Sequence, residues 1–325
     1  MKKLSEDFPT IWHYTNEAGL YGILGKEGNQ SIWATHYKFL NDYTEVFLFK
    51  RTLIELLKPE VVYYLNSVSK NNKHYQEIIE KNGGIELIAE HEVTTLVEGK
   101  YNALFEAIGA EIYVFSFCAV TDDYVKNNGL LSQWRGYGGD GGYAIEFDSV
   151  GLEKQLSQEG NDFNLSGVLG NCVYSDDSKV IEEELSVDLQ IVAKYAVEVF
   201  EAVRCKLTPE VLEDSAAPAL QSFINCITRF KHHAFKEEKE VRIAIALMDY
   251  LGEEDKLRKE RRFRQRNGVL VPYIALFENA EKLPINKIIV GPHKEKEYRA
   301  EVLKVFLSNR GHKDIDVDVS NIPFV

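Results

Sequence analysis

Segments with the alternating, β-branched and aromatic signature of strands occur at the start, middle and end of the chain. Two long blocks of helical periodicity, about residues 42–110 and 178–234, interrupt them. This interleaving constrains the fold most. It predicts a single α+β domain over 1–325, with a central mixed or antiparallel sheet and the helical blocks as insertions between its strands. The strand candidates are "TIWHYTN" (10–16), "SIWATHYKF" (31–39), "IYVFSFCAV" (112–120), "YAIEFD" (143–148), "GNCVYS" (170–175) and residues 239–247. "RRFRQRNGVLVPYIALF" (261–277) reads as a hairpin with Asn267-Gly268 at its tip. "INKIIVGP" (285–292), a helix near 295–310 and "IDVDVS" (315–320) form a closing strand–helix–strand unit.

Local signals refine this. "EAGLYGILGK" reads as a short helix after the first strand. Asp42 and Glu45 make a capping box for a helix that Pro59 ends, and Thr208-Pro209 opens a later one. "DDYVKNNG" reads as a loop, "LLSQWRGY" as a helical turn and "GGDGG" (138–142) as a hinge-like cluster.

The balance of 38 basic against 51 acidic residues gives a net charge of −13, which argues against a broad nucleic-acid or membrane footprint. "KLRKERRFRQR" (256–266) is the one candidate basic groove. No apolar run reaches the roughly 20 residues of a membrane span, and "MKKLSEDFPT" has no signal-peptide core. Cys118, Cys172, Cys205 and Cys226 are widely spaced without a CxxC pair, which points to reduced structural thiols and a cytoplasmic protein, not a zinc site.

Several residues could carry chemistry. His13 lies near the end of the first strand, before a polar turn, either as a satisfied core histidine or as a ligand contact. In "FKEEKEVRIAI" (235–245), period two turns Val241, Ile243 and Ile245 one way and Glu238, Glu240 and Arg242 the other. That polar face is either solvated, with Arg242 pairing Glu240 across one pleat, or lines a site. "SQWRGYGGDGG" sets Trp134, Arg135 and Tyr137 beside glycines that would let a backbone approach a ligand, but lacks the spacing of a dinucleotide fingerprint. Arg262, Arg264 and Arg266 share one strand face, as a phosphate contact or as a solvated edge.

"HYT" (13–15), "LND" with Glu45, "FSFC" (115–118), "LLSQWRGYG" (130–138), "GGYAIEFD" (141–148), "FK…E.EVRI" (235–243), "IIVGP" (288–292) and "VSNIPF" (319–324) occur in this order. Together they resemble a bacterial domain-of-unknown-function family, number 2971, which brings no settled activity. The chain is also similar to ADP-ribosyltransferases of the diphtheria-toxin-like group, which order a first-strand His, a later Tyr and a strand Glu. That resemblance implies an ADP-ribosyltransferase-like core with NAD as substrate, Glu240 and Glu238 as catalytic carboxylates, and His13 on a ribose. It further implies cofactor contacts from Tyr14, Thr15, Trp134, Tyr137, Tyr143, Arg242 and Arg264, with Tyr37, Tyr137 and Tyr143 competing to stack the nicotinamide. A fixed carboxylate would stabilise positive charge as the nicotinamide–ribose bond breaks.

Three readings follow. The first is an NAD-dependent ADP-ribosyltransferase or NAD glycohydrolase without a metal, acting on a protein, nucleic acid or water; proteins of this kind are often toxins or antiphage defence effectors. The second is a metal-dependent nuclease or phosphoesterase using Asp42, Glu146, Asp148 and Glu240. The third is a non-catalytic nucleotide-sensing module. The sequence leaves the oligomeric state open.

Overall fold

A computed structural model describes residues 3–25, 30–40, 45–102, 111–174, 178–206, 213–247, 255–266 and 268–323. The chain divides into two compact units. One comprises Met1–Leu40, Ile112–Cys172 and Ala234–Val325, and the other Asn41–Glu111 and Val173–His233. The second unit is therefore built from the two helical blocks.

In chain order the strands are β1 (Thr10–Thr15), β2 (Ile32–His36), β3 (Ile112–Ala119), β4 (Tyr143–Asp148), β5 (Leu165–Asn171), β6 (Val173–Tyr174), β7 (Phe230–Lys231), β8 (Glu240–Leu247), β9 (Arg262–Arg266), β10 (Val269–Leu276), β11 (Ile285–Val290) and β12 (Asp316–Val319). The helices are α1 (Leu4–Asp7), α2 (Glu17–Ile23), α3 (Glu45–Ser69), α4 (Lys73–Lys81), α5 (Ile85–Asn102), α6 (Asp123–Asn128), α7 (Leu131–Tyr137), α8 (Ser149–Asp162), α9 (Ser178–Cys205), α10 (Glu213–Arg229) and α11 (Lys296–Asn309).

The helical unit holds α3, α4, α5, α9 and α10 with the short parallel pair β6–β7. Leu53, Leu57, Val61 and Leu65 recur at helical spacing along α3 and are buried. This stripe continues on both sides of Pro59, so α3 runs through the proline that was expected to end it. Burial of four large aliphatic side chains outweighs the roughly 3 kcal/mol cost of an interior proline. Pro218 likewise lies inside α10. Asp42 and Thr208-Pro209 lie outside the described residues.

The other unit is organised by a ten-stranded mixed sheet in the order β12-β11-β4-β1-β3-β2-β10-β9, with β8 on β3 and β5 on β8. Every pairing is antiparallel except β11–β12, the parallel pair of the closing strand–helix–strand unit. One face carries Ile11, Phe115, Phe117, Ile145, Phe147, Val241, Ile243 and Ile274 and packs on side chains of α2, α8 and α11. The opposite face has a smaller cluster of Trp12, Tyr14, Cys118, Ala144, Ile289 and the α7 residue Trp134.

The sequence pattern did not foretell α8 or β5. "DDYVKNNG" is the helix α6, opened by Asp122, whose carboxylate accepts from the Val125 N–H at 3.0 Å. The glycine cluster expected as a hinge is a close-packed corner. Gly142 has φ +67, and a Cβ there would meet Gly138 Cα at 2.4 Å. A Cβ on Gly291 would come within 1.9 Å of the Gly141 carbonyl oxygen, whereas one on Gly160 would meet nothing within 4 Å.

Gly291→Ala should therefore lower stability by about 2–3 kcal/mol in chemical denaturation, because backbone cannot yield as a side chain does. Gly160→Ala, inside α8, should raise it by about 0.5–1 kcal/mol. Equal effects would remove the packing explanation.

Candidate functional site

The candidate site is a notch in the sheet. β8 pairs along one edge of β3 from Ile112 to Cys118. β1 meets β3 only at Cys118 and Ala119, and β2 only at Tyr113 and Val114, so both lie on the other edge. Between them the edge of Phe115, Ser116 and Phe117 carries no strand among the described residues. β1 is held away by full pairing with β4, and β2 by pairing with β10. Asn16, just after β1, caps α2 through its side-chain oxygen on the Gly19 N–H at 2.9 Å, turning the chain out of the sheet.

His13 fills this interruption. Its Nδ1 lies 2.9 Å from the Ser116 carbonyl oxygen, a contact only an N–H donor satisfies. Nε2 is then the acceptor, and the described residues offer it no partner while the ring stays partly open to solvent. The ring packs on Phe115 at 4.3 Å. Burial first, with the Arg264 charge adding to it and the Ser116 bond opposing, pushes the His13 pKa down to about 4. His13 is therefore a neutral acceptor of fixed tautomer at physiological pH.

Arg264 comes from β9 on the opposite face of the sheet: Thr35 opposite Val114 sets Thr35, Tyr273 and Arg264 on the Cys118 side, and its charge acts on His13 from there. Its Nη2 donates to Thr35 Oγ1 at 2.7 Å, and its guanidinium lies 5.7 Å from the Trp33 ring and 5.9 Å from the Tyr273 ring. Trp33 and Tyr273 stack at 4.7 Å. Trp33, Thr35 and Tyr273 were not foreseen, because only the β2–β10 pairing sets Thr35 opposite Tyr273.

The other sequence-predicted residues do not join His13 either. Cys118 opposite Glu240 and Trp12 opposite Cys118 put Glu240 on the Trp12 face, whereas His13 contacts Phe115 and Phe117 on the other. Glu240 is locked to Arg242 by two bonds, Nε to Oε1 at 2.8 Å and Nη2 to Oε2 at 3.0 Å, with both side chains 6% exposed. Ser116 and Gly170 oppose Arg242 on either side, small residues that leave room for a long side chain lying along the strand. The polar face expected to be solvated or to line a site is instead a buried ion pair. Glu238, half-buried, ends a short 3₁₀ segment just before β8.

Tyr14 points to the Glu240 face, where its hydroxyl accepts from the Leu130 N–H at 2.8 Å and burial raises its pKa. Trp134 is a core residue, 4.9 Å edge-on to Tyr14 with its indole N–H on the Asn128 carbonyl, and so is no stacking platform. Tyr137, at the end of α7, is 42% exposed. Tyr37 is buried in the turn after β2. Thr15 and Tyr143 pair across β1–β4 on the His13 face, both buried, with Arg299 5.4 Å over the Tyr143 ring.

Of the carboxylates of the phosphoesterase reading, Asp42 lies outside the described residues and the other three form no metal-binding group. Asp148 caps α8 through the Gly151 N–H at 2.7 Å, Glu146 accepts from Asn286 Nδ2 at 3.3 Å, and Glu240 is paired. Among the described residues no group of three His, Cys, Asp or Glu could hold a metal ion. No described helix is long and apolar enough to cross a membrane.

A family model described as "Protein of unknown function (DUF2971)" matches residues 133–243. The match spans α7 to β8 and includes Glu240 and Arg242, while His13 and Arg264 lie outside it. No curated protein and no solved structure matches the chain.

Glu240→Gln should cost about 3–5 kcal/mol in chemical denaturation, because it removes the carboxylate charge that is bonded twice to the buried Arg242 guanidinium. A change under 1 kcal/mol would mean that the pair is solvated. For His13 the native pKa lies below the unfolded value of 6.5, so its contribution is intact above pH 6.5 and is lost as pH falls toward about 4. His13→Gln, which keeps a donor for Ser116, should remove about 2–3 kcal/mol of that acid destabilisation by pH 4. Parallel pH–stability curves for the two proteins would refute the assignment.

Proposed function

Starting from a chain whose residues 133–243 match the model of a family of unknown function, we propose that this protein is a nucleotide-binding module taking NAD in the notch between β1 and β2. The observation that carries the reading is His13, with Nδ1–H committed to the Ser116 carbonyl and Nε2 left as an acceptor. Such a nitrogen suits a ribose hydroxyl, which can donate to a neutral imidazole and would find no acceptor on a protonated one. A ring held neutral well below physiological pH keeps that role at any cytoplasmic pH.

The sensing role is favoured over ADP-ribosyl transfer because transfer needs a carboxylate beside the ribosyl carbon. Glu240 faces away from His13 and already holds Arg242. Binding without turnover asks nothing of Glu240.

Titration calorimetry with NAD tests this. Wild type should bind, and His13→Ala should weaken binding about three- to tenfold, the worth of one neutral hydrogen bond. The affinity should stay flat from pH 8 to about 5.5, and chromatography should find no released nicotinamide. Nicotinamide release that a folded Glu240→Gln variant loses would overturn the sensing role in favour of transfer. Absence of NAD binding would end the reading altogether.

A further inference from the structure

The three arginines of β9 share one strand face but are treated differently. Arg262 is neutralised by Glu260 at 2.7 Å and again by Glu278. Arg266 donates to the Phe39 carbonyl. Arg264 has no carboxylate within ion-pair distance among the described residues; its bond is to the Thr35 hydroxyl, and its guanidinium carbon lies over the Trp33 and Tyr273 rings. Its Nε is buried with no hydrogen-bond partner among the described residues. Burial, and then the like charge of Arg266, lower its pKa. Elsewhere the chain gives its buried guanidiniums a carboxylate, Glu240 for Arg242 and Glu184 for Arg229.

We infer that Arg264 is held ready for an oxyanion that arrives with a ligand, and that the ligand is a small pyrophosphate compound. The guanidinium fork has Nε and further N–H donors to offer, the arrangement that takes two oxygens of one phosphate. The Thr35 bond and the two rings beside it hold the guanidinium in place, so less side-chain freedom is lost on binding. An anion would satisfy the buried Nε and relieve the repulsion between Arg264 and Arg266 together. The chain's net charge of −13 disfavours a long polyanion, which makes a small phosphate compound the better match than a nucleic-acid strand. The inference deepens the nucleotide reading and rests on it for the identity of the ligand, whereas the anion site rests on the surroundings of Arg264.

Calorimetry with inorganic pyrophosphate, NAD and a short single-stranded oligonucleotide, each on wild type, Arg264→Gln and Arg264→Lys, separates the two claims; circular dichroism confirms that each variant is folded. Pyrophosphate should bind wild type in a salt-sensitive manner. Arg264→Gln should weaken it at least tenfold, and Arg264→Lys, which keeps the charge but loses the fork, should fall between. No pyrophosphate binding at millimolar concentration, or equal binding by folded Arg264→Gln, overturns the anion site even where NAD binding still depends on His13. Arg264-dependent pyrophosphate binding without NAD binding supports the anion site and removes NAD alone. An oligonucleotide that binds more tightly than pyrophosphate through Arg264 overturns the assignment to a small ligand.

Discussion

The edge of β3 organises the sheet. One side of this strand is paired with β8 throughout, while β1 and β2 each take only an end of the other. The interruption would expose the Ser116 carbonyl, and a buried carbonyl without a donor is costly. His13 supplies the donor. The same bond fixes the imidazole tautomer, so a requirement of backbone satisfaction also creates the acceptor on which the functional reading depends.

Buried ion pairs hold the sheet around this notch. Glu240 and Arg242 occupy the central strand β8. Lys259 pairs with Glu159 of α8, donates to the Ala275 carbonyl at 2.9 Å, and lies 3.9 Å from the Phe163 ring. Glu159 in turn accepts from the Phe277 N–H at 2.9 Å, tying α8 to the end of β10. Each charge meets both an opposite charge and neutral partners or packing. Such pairs are weak evidence for stability in themselves, yet breaking one is severe, since the survivor stays buried. Arg264 departs from this pattern, and that contrast singles it out.

The elements were largely legible in the sequence because hydrophobic periodicity is local. Alternation in "IYVFSFCAV" and "YAIEFD" marks β3 and β4 within a residue or two, and the closing strand–helix–strand unit follows from three short patterns. The misses have tertiary causes. α3 passes through Pro59 because its apolar stripe is buried on both sides. The glycines at 138–142 serve close packing against Gly291, a partner about 150 residues away.

The sequence by itself determined most of the strands and helices, though not α6, α8 or β5, that the helical blocks are insertions, and that His13, Glu240 and Arg264 are polar residues on strand faces. It could not decide which of those faces meet. A strand's two-residue period says only that neighbours alternate, and absolute facing depends on pairing register between segments separated by up to about 230 residues. Register put Glu240 opposite Cys118 and away from His13, and brought Thr35 and Tyr273 together under Arg264 on that same Cys118 face. The site is therefore a product of strand pairing, a cooperative property of the whole sheet that no local pattern encodes.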